Sequence, residues 1–265
     1  MSAAVAALAR VMPGGGGQSM RLVERNLLVF RKNGGWLVIL SGFIEPLLYL
    51  AGMGFGVGAL IGRVGGVRYA VFVAPALMAS SAMNGAVNET TFNMFYKLRY
   101  LKLYDTVLAT PLRILDVAVG EVTWALMRSA SYAVCFVIVM AALGLIVSPW
   151  AALAAPAALL ISIAFAGAGV MTTTLMRTWQ DFAAVQVALL PMFLFSGTFY
   201  PLSTYPPALQ VVVQLTPLYH GVHMLRSFTT GDVTAAVLLD VLYLAAMGTA
   251  CVLLAVRRLD RLLLR

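Results

Sequence analysis

Six apolar runs, each close to the length of a membrane crossing and parted by short basic loops, constrain this chain more than any other feature. A helix needs about 20 mostly apolar residues to cross the hydrocarbon core. Such runs fall at about 36–61, 69–87, 130–147, 151–176, 182–199 and 237–256. Only 11% of the residues are charged and 62% are hydrophobic, against about a quarter charged in soluble domains. The expectation is an all-α polytopic membrane protein with six transmembrane helices, not a soluble protein with one anchor.

The net charge of +8 does not point to nucleic acid, because the basic residues cluster beside the apolar runs. With both termini cytoplasmic, the N-terminal segment holds five Lys and Arg, the 90–116 loop four, the turn at Arg177 one and the tail four. Arg63, Arg68 and Arg226 then lie outside, and Arg128 sits at the inner interface. This bias places a multi-pass protein in the plasma (inner) membrane with both ends inside. Residues 1–19 read as a flexible tail ahead of one membrane domain over 20–265, and Met20 is an alternative start. Residues 18–32 alternate Leu22, Leu27, Leu28 and Phe30 with Arg21, Arg25, Arg31 and Lys32, the pattern of an amphipathic helix on the inner surface.

Inside the first span, Gly52, Gly54, Gly56, Gly58 and Gly62 include three pairs spaced four apart, which lets helices approach closely. Packing within the chain and a subunit interface are both open readings. Glu45 lies roughly 14 Å along the same span, where a carboxylate marks a pathway unless the span begins nearer Phe43. Glu89 reads as interfacial, and Asp240 is expected to snorkel or to pair with Arg226. In the loop 90–116, Lys97, Arg99, Lys102 and Arg113 interleave with Phe92, Phe95, Tyr96, Tyr100 and Tyr104, and Thr110-Pro111 punctuates it. Interleaved aromatics favour docking of a protein partner over contact with bare lipid. Glu121 and Arg128 are seven apart on one helical face and mark an interfacial stretch before the third span.

Residues 191–226 are too apolar for an ordinary loop and too broken for a span. Broken backbone is tolerated at membrane depth only where protein or a water-filled cavity surrounds it. The charge count makes the stretch enter and leave by the outer face. His220 and His223 share a face but lack a cysteine or carboxylate at ligand spacing, so hydrogen-bonded structure or a substrate headgroup is favoured over a metal. Cys135 and Cys251 lie inside spans and read as small core hydrophobes. The run 14–17 lacks the lysine of a phosphate loop, and no hydrolase motif or carboxylate pair occurs, so the chain is not expected to be an enzyme.

Across nearly the whole chain after the glycine run, the sequence resembles the type-2 ABC transporter permeases. Within them it is most similar to the branch of daunorubicin-resistance and nodulation lipo-oligosaccharide exporter permeases. The resemblance is carried by EPLLYLAGMGFGVG at 45–58, LATPL at 108–112, Gly120-Glu121 with Trp124, and above all SGTFYP at 196–201 with PLYHGVHMLR at 217–226. It implies a permease subunit of an ABC exporter that moves a lipid-linked or amphipathic substrate, such as a glycolipid, lipo-oligosaccharide or hydrophobic drug. It implies a homo- or heterodimer docked to two copies of a separate ABC ATPase, which would bind the ATP and Mg; no cofactor is expected on this chain. Tyr96, Arg99, Tyr100, Lys102, Tyr104, Thr110 and Pro111 then form the ATPase-coupling loop. An outer re-entrant helical hairpin between spans five and six holds Ser196, Gly197, Pro201, Pro217, His220, His223 and Arg226, joined near Pro206-Pro207. Glu45, Gly52, Gly54, Gly56, Gly58, Phe193 and Phe195 line a pathway or dimer interface. A membrane scaffold or regulatory subunit for an ATPase is the rival reading; it needs the docking loop but no path.

Overall fold

The computed structural model describes residues 16–32, 44, 47–103 and 114–263. Glu45, Tyr104, Thr110, Pro111, the opening of the first span and most of the N-terminal tail lie outside the described residues. Four helical stretches among the described residues are long and apolar enough to cross a membrane: Tyr69–Tyr100, Val119–Ala142, Pro149–Leu175 and Ala236–Arg258. Two shorter apolar helices, Leu47–Ile61 and Asp181–Phe195, accompany them.

Helix α1 (Gly16–Lys32) turns Leu22, Val23 and Asn26 inward, and the Phe30 ring meets Trp124 edge-on at 5.6 Å. Leu27, Leu28 and Val29 stay exposed on another face. Helix α2 (Leu47–Ile61) is wound wide over Leu50–Val57 and stops at Gly62, whose φ of +73° suits glycine. The short loop expected next is a small antiparallel hairpin pairing Arg63 with Arg68 and Val64 with Val67. Gly65 and Gly66, both at positive φ, make its turn, the residue pair that a two-residue hairpin favours.

Helix α3 (Tyr69–Asn88) is buried nearly all round and forms the centre of the bundle. It does not give way to a loop at Thr90: wide-wound turns carry it through Glu89–Asn93 and again over Tyr96–Tyr100. The Thr90 and Thr91 hydroxyls donate back to the carbonyls of Ala86 and Val87, at 2.7 and 2.6 Å, so the wider turns leave these oxygens satisfied. Thr173 of the neighbouring helix donates to the Thr90 carbonyl at 2.7 Å.

Helix α4 (Ile114–Ala142) is continuous, and its membrane-length apolar part begins at Val119, eleven residues before the expected start. Glu121 is buried within the helix bundle. A tight turn at Leu143–Gly144 and a short 3-10 stretch, Pro149–Leu153, lead into α5 (Ala154–Leu175). The Ser148 hydroxyl accepts the Trp150 N–H at that entry. Helix α6 (Asp181–Phe195) starts where Asp181 accepts the backbone N–H groups of Arg177 and Thr178 at 2.7 and 3.0 Å. It ends four residues short of the expected Phe199, because Ser196 and Gly197 (φ +70°) turn the chain. Helices α7 (Pro207–Gln214) and α8 (Pro217–Thr230) each begin on a proline at the first helical position, where its missing N–H is not needed. They meet at Leu215-Thr216, not near Pro206-Pro207. Helix α8 closes on Gly231 at φ +96°, and α9 (Ala236–Leu263) completes the chain.

Helices α5 and α9 cross closely. A Cβ on Gly167 would sit 2.9 Å from the Gly248 carbonyl oxygen, and one on Gly248 would sit 3.1 Å from the Ala164 Cα. Close approach through small residues is how helices associate in lipid, where burial of apolar surface supplies no driving force.

Candidate functional site

Where α3 ends, six rings gather. Phe92 meets Trp179 at 4.8 Å, Phe95 meets Phe182 at 5.5 Å, and Tyr96 stacks on Tyr100 at 5.8 Å. Phe95 is buried, whereas Phe92, Tyr96 and Tyr100 remain exposed with Arg99 and Lys102. Lys97 leans away from this face to pair with buried Glu121 at 2.7 Å. The wide turns aim these rings to one side. Of the expected coupling residues, Tyr96, Arg99, Tyr100 and Lys102 are all exposed, and the Tyr96 and Tyr100 rings stack.

One turn deeper, Arg128 of α4 pairs with Glu89 of α3 and reaches the Tyr132 hydroxyl at 3.1 Å, while Asn93 donates to the same Glu89 oxygen at 2.8 Å. Glu89 is buried by its neighbours, and pairing with Arg128 offsets the cost of burying its carboxylate. The pair closes a cavity of about 380 Å³ between α3 and α4, whose polar lining includes Ser81, Asn84 and Asn88. Ser81 and Asn84 also line a second cavity of about 210 Å³, reached by Tyr49 of α2 and by Gln186 and Phe193 of α6. The two cavities share Ser81 and Asn84 and together make a furrow beside α3, polar at those residues and apolar toward Leu189, Leu190 and Phe193. Gln186, in an otherwise apolar helix, carries no sequence signal of its own, and only its facing Asn84 gives it meaning.

At the other end of α3, Arg226 of α8 ties three segments together. Its Nε donates to the Phe72 carbonyl at 3.2 Å, its Nη2 donates to the Gly197 carbonyl at 2.8 Å, and its guanidinium lies 3.8 Å from the Phe72 ring centroid. Arg226 does not meet Asp240. That carboxylate instead takes both histidines of α8: His220 Nδ1 lies 2.7 Å from Oδ1 and His223 Nδ1 lies 2.6 Å from Oδ2. An ionised carboxylate only accepts, so both rings carry a proton on Nδ1. Tyr243, one turn along α9, stacks on His220 at 4.1 Å and donates to the Leu215 carbonyl at 2.7 Å, holding the α7–α8 joint. Ser196 hydrogen-bonds Met192 and shares a 3.3 Å contact with Thr216 beside Pro217. Among the described residues no three His, Cys, Asp or Glu side chains are arranged to hold a metal ion.

The glycines of α2 divide into two sets. A Cβ on Gly54 would meet Ala70 at 3.2 Å and one on Gly58 would touch Tyr69, whereas Gly52 and Gly56 face open space among the described residues. Phe193 packs edge-on to Phe199 at 5.2 Å and lines the furrow; Phe195 turns toward Tyr205 instead.

Residues 17–229 match the model of the ABC-2 type transporter family. The chain belongs to that family. It is 32% identical over 248 residues to nodulation protein J of Rhizobium leguminosarum bv. viciae, with 92% of each chain covered. Nodulation protein J of R. leguminosarum bv. trifolii is 32% identical over 223 residues, covering 83% of this chain and 84% of that one. The corresponding protein of Rhizobium meliloti (strain 1021) is 31% identical over 224 residues, again 83% and 84%. The chain is thus the membrane component of an ABC-2 type transporter, as the SGTFYP and PLYHGVHMLR segments imply.

Proposed function

We propose that this chain is the permease subunit of an ABC exporter and moves a lipid-linked or amphipathic molecule outward across the plasma membrane. A separate ATPase, present in two copies and holding the ATP and Mg, supplies the work. The observation that carries this reading is the exposed platform of Phe92, Tyr96 and Tyr100 beside Arg99 and Lys102 at the end of the central helix. Exposed aromatic surface with a basic rim suits a protein partner, and α3 connects it rigidly to the furrow. By the family resemblance Tyr104, Thr110 and Pro111 are assigned the same coupling role, and Glu121 and Arg128 of α4 support it. The aromatic end faces the cytoplasm together with both termini. The chain makes six crossings, with α1 at the inner interface.

Helices α7 and α8 enter and leave from the outer face as a gate, with Ser196, Gly197, Pro201, Pro217, His220, His223 and Arg226 at its hinges. A second permease subunit packs on the glycine face of α2 at Gly52 and Gly56, while Gly54 and Gly58 hold α2 to α3; by the resemblance Glu45 and Phe195 are assigned to the same pathway or interface. The furrow, which a scaffold or regulatory subunit would not need, favours transport over anchoring. Reconstitution with the cognate ATPase tests the reading: ATP should drive outward movement of a labelled lipid-like cargo, and Tyr96→Ala with Tyr100→Ala should leave ATP hydrolysis running without it. ATPase binding with no cargo movement under any condition would leave only the scaffold role.

A further inference from the structure

We infer that two buried ion pairs, Lys97 with Glu121 and Glu89 with Arg128, lock α3 to α4 as the rungs of a ladder. Through it the ATPase's movement passes from the aromatic platform into the bundle. The inference rests on the coupling role proposed above; its grounds are the placement of the two rungs. Helix α3 is wide-wound over Glu89–Asn93 and again over Tyr96–Tyr100, and each of these stretches contributes one rung residue. Wide turns interrupt the regular hydrogen-bond pattern of a helix and recur at functional sites. Left alone, two such turns would yield when the platform is pushed. Each is instead tied by a charged side chain to α4, which is regular throughout.

The signs of the rungs select one register. Each helix carries its carboxylate before its cation, eight residues apart on α3 and seven apart on α4. Seven α-helical residues rise roughly 10.5 Å and eight roughly 12 Å; the wide turns of α3 take up the extra residue. Lys97 thus comes level with Glu121, at 2.7 Å, while Glu89 meets Arg128. The two helices run antiparallel at this interface, so a slip by one rung would set Glu89 against Glu121 or Lys97 against Arg128. Like charges repel strongly where water is excluded, and Glu121 and Glu89 are only 2% and 5% exposed. Apolar packing is non-directional; these pairs are not. Asn93 donates to the paired oxygen of Glu89 at 2.8 Å, and Arg128 donates to the Tyr132 hydroxyl at 3.1 Å, which fixes the deeper rung further. Glu121 Oε1 has no partner among the described residues, so the pairing of this carboxylate runs through Oε2 to Lys97.

The test uses the full chain with its cognate ATPase in phosphatidylcholine vesicles that contain a fluorescent glycolipid. Cys135 and Cys251 are replaced by alanine, and an environment-sensitive dye on Ser203→Cys reports the opposite end of the bundle. ATP should change the emission of that dye in the parent chain. Lys97→Met with Glu121→Leu exchanges one rung for apolar side chains of similar volume, which buried pairs often tolerate. The thermal midpoint should therefore hold, while the dye response and the glycolipid moved per ATP hydrolysed each fall at least about tenfold. The reversed pair, Lys97→Glu with Glu121→Lys, should bring both back to within about threefold of the parent. Should the apolar double variant fail to fold, Glu89→Leu with Arg128→Met breaks the other rung and carries the same expectation. An apolar variant that folds and keeps the parent's dye response would overturn the ladder, reducing the pairs to packing and leaving the export reading intact. A reversed pair as stable as the parent but still uncoupled would overturn it as well. A dye response lost and regained as expected, with no lipid-like cargo moved in any form, would sustain the ladder and leave only the scaffold reading.

Discussion

Replacing Arg226 by alanine removes two charge-assisted hydrogen bonds and a ring contact at once, and frees the Phe72 and Gly197 carbonyls inside the fold. Hydrogen bonds to charged groups contribute about 1.5–3 kcal/mol each, so a loss on the order of 3 kcal/mol is expected, read as a lower thermal midpoint in detergent. Arg226→Lys keeps the charge but not the planar fork, and should recover less than half of it. An unaltered midpoint in Arg226→Ala would mean the clamp holds nothing. The two histidines with Asp240 call for a different measurement. A double-mutant cycle between His220→Ala and Asp240→Ala should give a coupling energy of about 0.6–1.7 kcal/mol, the range for hydrogen bonds between helices in membranes. A coupling of zero would make the contact incidental. The shared face of His220 and His223 is legible from their spacing of three, as is the burden of a carboxylate in an apolar run. That Asp240 serves both, while Arg226 serves backbone, is not legible, because a pairing across 17 or 20 residues depends on how α8 lies against α9. The Glu89 pairing with Arg128, across 39 residues, was hidden for the same reason.

Helix boundaries follow the punctuation of the sequence. Gly62, Gly144 and Gly231 at positive φ close α2, α4 and α8, and Pro207 and Pro217 open the two short helices. The wide turns of α3 have no such signature. In the first of them the Thr90 carbonyl accepts the Thr173 hydroxyl of α5, a partner 83 residues away. The same limit applies to glycines, which look alike in sequence but differ in what they face. Gly167→Ala would drive a Cβ against the Gly248 carbonyl, and Gly169→Ala would collide with the Thr90 hydroxyl. Each should destabilise the fold by about 1–3 kcal/mol, as overpacking does. Within one chain a Cβ on Gly52 meets no described residue, so Gly52→Ala should leave the isolated subunit's thermal midpoint unchanged or higher while weakening the proposed dimer. If Gly52→Ala unfolds the chain and Gly167→Ala does not, the assignment of packing to α5 and α9 rather than to α2 is wrong.

At the level of the whole molecule, orientation can be read by labelling. Ser203, in the exposed turn before α7, and Lys102, beyond the aromatic platform, lie at opposite ends of the bundle. In intact cells a membrane-impermeant maleimide should modify Ser203→Cys and spare Lys102→Cys; the reverse pattern would invert the topology. One dimension of the bundle has a further consequence. Helix α6 has 15 residues, roughly 22 Å at 1.5 Å per residue, while the hydrocarbon core of a typical bilayer is about 30 Å thick. With α6 crossing the bilayer as proposed, either the flanking lipid thins beside it or the Ser196-Gly197 turn lies below the headgroups, where the guanidinium of Arg226 caps the Gly197 carbonyl. Mismatch of this kind amounts to fractions of a kcal/mol per Å. Acyl-chain length therefore becomes a physical control on this protein, which should be most stable in short-chain phosphatidylcholine and progressively strained as the host membrane thickens.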